Sequence, residues 1–257
     1  MIQIQSSGLD WVKQIGERFA QHLLRQSKFV RYKYQEKPIN TEFGELYRFI
    51  LITIEEKKYA IDFNDTDISQ LDNSNVTKIL KCQYNPSKTY QKSIPYTYFP
   101  KDLNLLQNML KELRMTKRVL PFYFRGKLRD KREETIEILR HQFNFSEGKI
   151  GIQEYYRECA TAKICLSLPG HGNFCHREIE CFGMGVPVLM PKLINRSYNE
   201  LIPDKHYICV EYDASKIIER CSNITTEELQ NISANAMAWY EDNVKNCVQL
   251  AFSLLAN

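Results

Sequence analysis

The sequence predicts an α/β protein: a doubly wound parallel sheet in its C-terminal part and a smaller α/β unit before it. Three observations carry this. From residue 118 onward, short apolar runs alternate with segments of helical periodicity. Parallel neighbours need such crossover connections. The apolar runs, among them KICLSL (163–168) and PVLMP (187–191), lack polar alternation, as strands covered on both faces do. Earlier in the chain, YRFILITIEEKKYAIDF (47–63) reads as two β-rich arms joined at Glu56-Lys57, which is a hairpin.

The elements follow in order. Trp11, Ile15, Phe19 and Leu23, with Val12 beside them, recur at helical spacing and predict an amphipathic helix over 9–26. After the hairpin, VTKILKCQY (76–84) is a strand, and Leu106, Met109, Leu110 and Leu113 mark a helix over about 101–115. RVLPFYF (118–124) is a strand interrupted early by Pro121, and RGKLRDKREETIEILRHQF runs through a loop into a helix. GIQEYYRECATA (151–162) is a helix, KICLSL a strand, HREIECFGMG (176–185) a short helix and PVLMP another strand. YICVEY (207–212) is a strand, Asp213 can cap a helix over 214–221, and Thr225 with Glu228 form a capping box for a long helix from about 226. The expected boundary falls at 115/116: domain 1–115 is the smaller unit, and 116–257 is the doubly wound one, its last helix packing back on the first.

Composition sets broad limits. With 257 residues, 43% hydrophobic and 26% charged, the chain can bury a sizeable core without a metal or disulfide. A net charge of +4 suits an anionic ligand but is too small to imply nucleic acid. The start of the chain has no basic stretch leading into an apolar core, and no apolar run reaches about 18 residues. The eight cysteines lack the dense spacing of a secreted framework. They are expected to be reduced thiols in a cytoplasmic protein.

The stretch LSLPGHGNFCHREIECFGMGVPVLMP (166–191) carries the chemistry. In open parallel sheets, ligands bind beyond the carboxyl ends of strands. The loop from Pro169 to Cys175 leaves such an end and feeds a helix whose first N–H groups and dipole suit phosphate. The dipole alone contributes about 0.3–1 kcal/mol. His171, His176 and Arg177 can add charge-assisted hydrogen bonds of about 1.5–3 kcal/mol each. Gly172 and Asn173 belong to the same loop. Glu180, one turn beyond His176, would repel a phosphate unless it accepts from other donors, for which ribose hydroxyls are suited. The bland reading stands beside this: acidic residues favour helix N-termini, and Arg177 can simply pair with them.

These residues resemble the donor site of GT-B glycosyltransferases, in which Glu-x4-Gly-x-Pro-Val recurs; here it is Glu180 followed by Gly185-Val186-Pro187-Val188. YYRECATAKICLSLPGHGNFCHREIECFGMGVPVLMP is similar to the exostosin-type pattern, and PFYFRGKLRDKRE (121–133) resembles the Phe-Arg-Gly segment of exostosin and family-90-like enzymes. The resemblance covers about residues 119–212. Gly172 stands where the first member of a Glu-x7-Glu pair would fall, and the N-terminal half is shorter than usual for the fold. The resemblance implies two Rossmann-like domains facing a cleft, the C-terminal one binding a nucleotide-sugar and the N-terminal one the acceptor, a glycan or another molecule. It implies that Glu180 holds ribose, that Arg177 lies next to the diphosphate, and that Arg125 and Gly126 form the loop after the first donor-domain strand.

Other groups were weighed on chemistry alone. Arg125 and Lys127 follow a strand and can reach donor phosphates, whereas Arg129, Lys131 and Arg132 alternate with Asp130, Glu133 and Glu134 as on a solvated helix face. Such cations would stabilise charge on a departing nucleotide diphosphate without a metal. His171, Cys175, His176 and Cys181 lack the paired spacing of a zinc site, so no metal and no cofactor are expected. Asp62, Asp65 and Asp67 are candidates for an acceptor base, though turn chemistry explains them equally. The catalytic base, inversion or retention, and the sugar stay open. A non-catalytic nucleotide-sugar or anion-binding module is the second reading, motivated by the short N-terminal half. Nucleic-acid binding through tyrosines interleaved with lysine, as in CQYNPSKTYQKSIPYTYFP, is the third; tyrosine in strands is usually packing, so no nucleic acid is expected.

Overall fold

The structure, a computed structural model, describes residues 2–25, 30–41, 44–46, 48–64, 69, 71–72, 74–126, 131–140, 143, 145, 149–168 and 174–256. The elements run β1 (Ile2–Ser7), α1 (Asp10–Leu24), β2 (Val30–Gln35), β3 (Ile39–Thr41), β4 (Gly44–Leu46), β5 (Phe49–Ile54), β6 (Lys57–Asp62), β7 (Lys78–Lys81), β8 (Ser93–Pro95), α2 (Leu103–Met115) and β9 (Leu120–Tyr123). Then come α3 (Lys131–Arg140), α4 (Ile152–Ala160), β10 (Ala162–Leu166), α5 (His176–Met184), β11 (Val188–Met190), β12 (Ile208–Cys209), α6 (Ala214–Asn223), α7 (Thr226–Tyr240), a π-helical turn Glu241–Lys245 and α8 (Cys247–Ala256). No helix among the described residues is long and apolar enough to cross a membrane.

The chain divides into two compact units. The first comprises Met1–Asn104, Ile194–Glu200 and Asn243–Asn257; the second comprises Leu105–Leu193 and Leu201–Asp242. The dividing line therefore falls before most of α2 rather than at 115/116.

The first unit is built on a six-stranded sheet of order β2-β1-β5-β6-β7-β8. It is mixed because two kinds of connection feed it. The helix α1 carries the chain from β1 to the parallel neighbour β2. The two-residue turn Glu55-Glu56 makes β5 and β6 antiparallel, with Ile54 opposite Lys57; Glu55 takes a positive φ of 56° there, as a tight hairpin turn needs. Trp11, Val12, Ile15, Phe19 and Leu23 are the buried face of α1, as the helical spacing predicts. The segment 194–200 joins this unit through Arg196 N–H to Tyr84 O (2.8 Å) and Tyr198 N–H to Tyr96 O (3.2 Å). The Tyr96 hydroxyl in turn donates to Cys247 O at 2.7 Å. At the carboxyl ends of β6 and β7 lies an ion pair with both side chains fully buried, Lys81 Nζ to Asp62 Oδ2 at 3.2 Å. Asp62 is thus committed to Lys81 and to the Asn64 amides at 2.9 and 3.0 Å, which removes it as an acceptor base. Asp65 and Asp67 lie outside the described residues.

The second unit holds a parallel four-stranded sheet, β9-β10-β11-β12, in chain order. Helices cover both faces, as the unalternating strands predict. Phe124, Ile164, Leu166, Leu189 and Ile208 pack with Ile136 and Leu139 of α3 and Ile217 of α6. Tyr123, one residue before Phe124, points to the opposite face and reaches Glu158 of α4 at 3.0 Å. On that same face α5 packs against α4 and α7.

The turn from α5 to β11 shows why Gly-x-Pro follows the helix. Gly185 adopts φ 72°; its N–H bonds Phe182 O at 3.1 Å and Val186 N–H bonds Cys181 O at 2.9 Å. This double bond pattern is the Schellman motif, which favours glycine because a Cβ is strained at positive φ. Pro187 then prevents the helix from resuming.

Candidate functional site

The site forms at the carboxyl ends of β9 and β10, where α5 begins. Cys175 is the N-cap of α5 in extended conformation, and Glu178 closes a capping box with it. The Glu178 carboxylate accepts from Cys175 N–H at 2.6 Å and from the Ser167 hydroxyl. It is 3% exposed, and burial pushes its carboxyl above the usual range. Its charge is therefore spent inside the turn, satisfying the donors of a helix start.

Arg177, the second residue of α5, lies beneath the first turn. Its Nη2 donates to Arg125 O at 2.9 Å and its Nη1 reaches Ser167 Oγ at 3.4 Å. The guanidinium sits 5.1 Å from the Phe124 ring centroid, a favourable cation–π distance. Its Nε is buried without a hydrogen-bond partner among the described residues. Gly126 makes room for this arrangement, since a Cβ there would lie 2.8 Å from Arg177 Nη2.

Arg132 comes to the same place. It is in the first turn of α3, and its Nη2 donates to Leu168 O at 2.6 Å. Its guanidinium lies 5.8 Å from the same Phe124 ring. Burial and the repulsion of Arg177 both lower its pKa. Its charged neighbours suggest a solvated face, but Arg132 turns inward because Phe124 offers its ring and Leu168 a strand-end carbonyl.

Arg125 behaves differently from the sequence-based expectation of a phosphate contact. Its backbone oxygen serves the site, but its side chain turns to α4, where Nη2 meets Glu158 Oε2 at 2.7 Å and Nε meets the Tyr123 hydroxyl at 3.2 Å. His176 opens α5 and is half-buried. Glu180 is 1% exposed and faces α4, with the Tyr156 hydroxyl 3.4 Å from its Oε1. Lys127, His171, Gly172 and Asn173 lie outside the described residues.

A cavity of about 390 Å³ opens between the first turns of α3 and α6, lined by Glu134, Thr135, Tyr212 and Asp213 among others. It is of ligand size. Its carboxylates repel phosphate, whereas the guanidiniums of Arg132 and Arg177 come together over Phe124 at the start of α5. Sequence reasoning missed Arg132 and Tyr156, whose contacts are made across elements, and Glu178, whose local capping box has a cysteine rather than serine or threonine at the N-cap.

No family model matches the chain, and no curated protein matches it. Among solved structures it is similar to a glycosyltransferase from Rickettsia africae ESF-5, at 11% identity and a TM-score of 0.47, over 72% of this chain and 64% of that one. It is also similar to a GtfA/B complex, at 13% identity and a TM-score of 0.43, over 91% of this chain and 54% of that one. The chain thus spans less than two thirds of each of these proteins.

Proposed function

We propose that the chain is a glycosyltransferase of the GT-B type that moves a sugar from a nucleotide-sugar donor to an acceptor hydroxyl, with no metal in the transfer step. One observation carries the anion-binding half of this reading: Arg177, at the first turn of α5, donates to the neutral oxygens of Arg125 and Ser167 and keeps a buried Nε without a partner among the described residues. A diphosphate placed at that turn would meet the helix dipole and the charges of Arg177 and Arg132. Charge develops on the diphosphate as the bond from the sugar's anomeric carbon breaks, and fixed cations stabilise it there. The sugar half rests on the likeness of residues 119–212 to exostosin-type donor sites. In this proposal Gly126, Lys127, His171, Gly172, Asn173 and His176 complete the donor pocket, and the Arg125 backbone holds Arg177. Glu180 takes the ribose, for which its carboxylate must leave Tyr156.

A second reading, a nucleotide or anion-binding module without transfer, gains on its anion-binding side from the burial of Glu180 against Tyr156, which leaves phosphate recognition by Arg177 without the ribose contact. A panel of UDP-, GDP- and CMP-sugars separates the two. The first reading predicts hydrolysis or transfer from at least one donor. Nucleotide binding with no turnover of any donor favours the second.

A further inference from the structure

Behind the anion-facing turn, three elements of the second unit bring sulfur atoms together. Cys159 ends α4, Cys165 lies in β10 and Cys181 is in α5, and all three are fully buried. Their Sγ atoms all lie within 4.8 Å of one another, with Cys159 and Cys181 at 3.5 Å. Three thiolates around one ion at a Zn–S length of about 2.3 Å would place sulfurs about 3.8–4.0 Å apart, so the cluster reaches that geometry with sulfur shifts of no more than about 1 Å.

The surroundings suit an anionic metal–thiolate group. Arg118 lies within electrostatic reach of Cys159 and Cys181. It is held by donating to Ala160 O at 3.1 Å, Ala162 O at 3.2 Å and Met184 O at 3.0 Å. Arg177 acts on Cys165, and the Glu180 carboxylate acts in the opposite sense on Cys159. Two guanidiniums against one carboxylate favour a site whose three thiolates would leave a net negative charge on a bound divalent ion. Soft sulfur ligands in a dry cavity select thiophilic ions over hard ones.

We propose that Cys159, Cys165 and Cys181 form a binding site for a thiophilic d¹⁰ cation of the Zn(II) or Cu(I) class. The ion clips α4, β10 and α5 together behind the donor turn and takes no part in group transfer. This inference does not rest on the glycosyltransferase reading. Because the ligands are fully buried, the ion enters as the unit folds or opens, and binding adds to folding stability.

The test is a cadmium titration of the reduced, chelator-stripped full chain. It is followed by the ultraviolet thiolate-to-cadmium absorption and by thermal unfolding, with zinc as competitor. The proposal expects an absorption step that saturates at one equivalent, the same step at higher cadmium when zinc is bound first, and a higher unfolding temperature. Cys82→Ser and Cys247→Ser, in the other unit, should keep the step, whereas Cys165→Ser and Cys181→Ser should lose it while circular dichroism shows a folded chain. A wild-type chain with no stoichiometric step and no stabilisation overturns the proposal, whatever the variants do. So does a step that persists in both Cys165→Ser and Cys181→Ser, which would place the metal on the partly exposed thiols.

Discussion

Arg177 donates to the backbone oxygen of Arg125 at 2.9 Å, while the side chain of Arg125 turns away to Glu158 at 2.7 Å. Adjacent cations therefore divide the work. One is anchored by neutral oxygens within electrostatic reach of Glu178; the other satisfies a carboxylate and braces β9 against α4. The sequence led to an expected phosphate contact for Arg125; in space its side chain meets Glu158, while Arg177 and Arg132 come together over the Phe124 ring.

The ribose role of Glu180 is separable from its packing role. Glu180→Gln keeps a hydrogen-bonding partner for Tyr156 and a similar volume, so the chain should stay folded. If the carboxylate takes ribose, the variant loses affinity for a nucleoside diphosphate but not for inorganic pyrophosphate. Calorimetric titration of both ligands reads the difference. Equal affinities in variant and wild type for both would assign Glu180 to packing alone.

The buried pair Lys81–Asp62 should be costly to break from one side. Lys81→Ala leaves an uncompensated buried carboxylate, and the expected loss is about 3–5 kcal/mol in urea unfolding. The double variant Lys81→Met/Asp62→Leu removes both charges and should recover most of that loss. A Lys81→Ala chain as stable as wild type would show that the pair is solvated.

Gly185 closes α5 at φ 72°. Gly185→Ala should destabilise by about 1–2 kcal/mol from the left-handed backbone alone. A Cβ there would also meet Met237 Sδ at 2.6 Å, which the flexible methionine must vacate. Denaturant midpoints of the two chains check this.

Much of this was legible from pattern, and the exceptions have physical causes. The spacing of Trp11, Ile15, Phe19 and Leu23 marks α1 because a helix repeats its buried face every three or four residues. Thr225 and Glu228 announce α7 because capping is local, and the box is present with Glu228 N–H on the Thr225 hydroxyl at 3.1 Å. Strands β1 and β2 went unassigned: IQIQSS and VRYKYQ are short and carry polar residues at alternate positions, and only their pairing with each other and β5 makes them strands. YICVEY was expected as a full strand over 207–212, yet only Ile208 and Cys209 pair with β11. The partner of Asp62 lies 19 residues away and is set by strand register. The sulfurs of Cys159, Cys165 and Cys181 meet across three elements, so no linear motif records them.

Asp72 gives the first unit an acid-sensitive element. Burial acts to raise its pKa, but hydrogen bonds outweigh it, and the carboxyl is held below the usual aspartate range. The donors are Gln91 N–H at 2.7 Å, Lys92 N–H at 3.2 Å, Ser93 N–H at 3.1 Å and the Ser93 hydroxyl at 2.8 Å. A depressed folded pKa means the unfolded chain binds the proton first as pH falls. The stabilisation is complete above the ordinary value of about 3.9 and is lost on acidification through the folded value. Asp72→Asn should therefore be less stable at neutral pH, with the gap to wild type narrowing below about pH 4. A gap independent of pH would exclude this carboxylate as a source of acid sensitivity.

In the proposed reading Arg177 and the start of α5 hold a nucleotide diphosphate. Calorimetric titration of UDP, GDP and CDP into wild type and Arg177→Ala tests it most directly, with circular dichroism to verify folding. At least one nucleotide should saturate the wild type. Arg177→Ala should bind it roughly tenfold to a hundredfold more weakly, matching about 1.5–3 kcal/mol for hydrogen bonds to a charged group. A folded Arg177→Ala chain that binds every such nucleotide with wild-type affinity would contradict it.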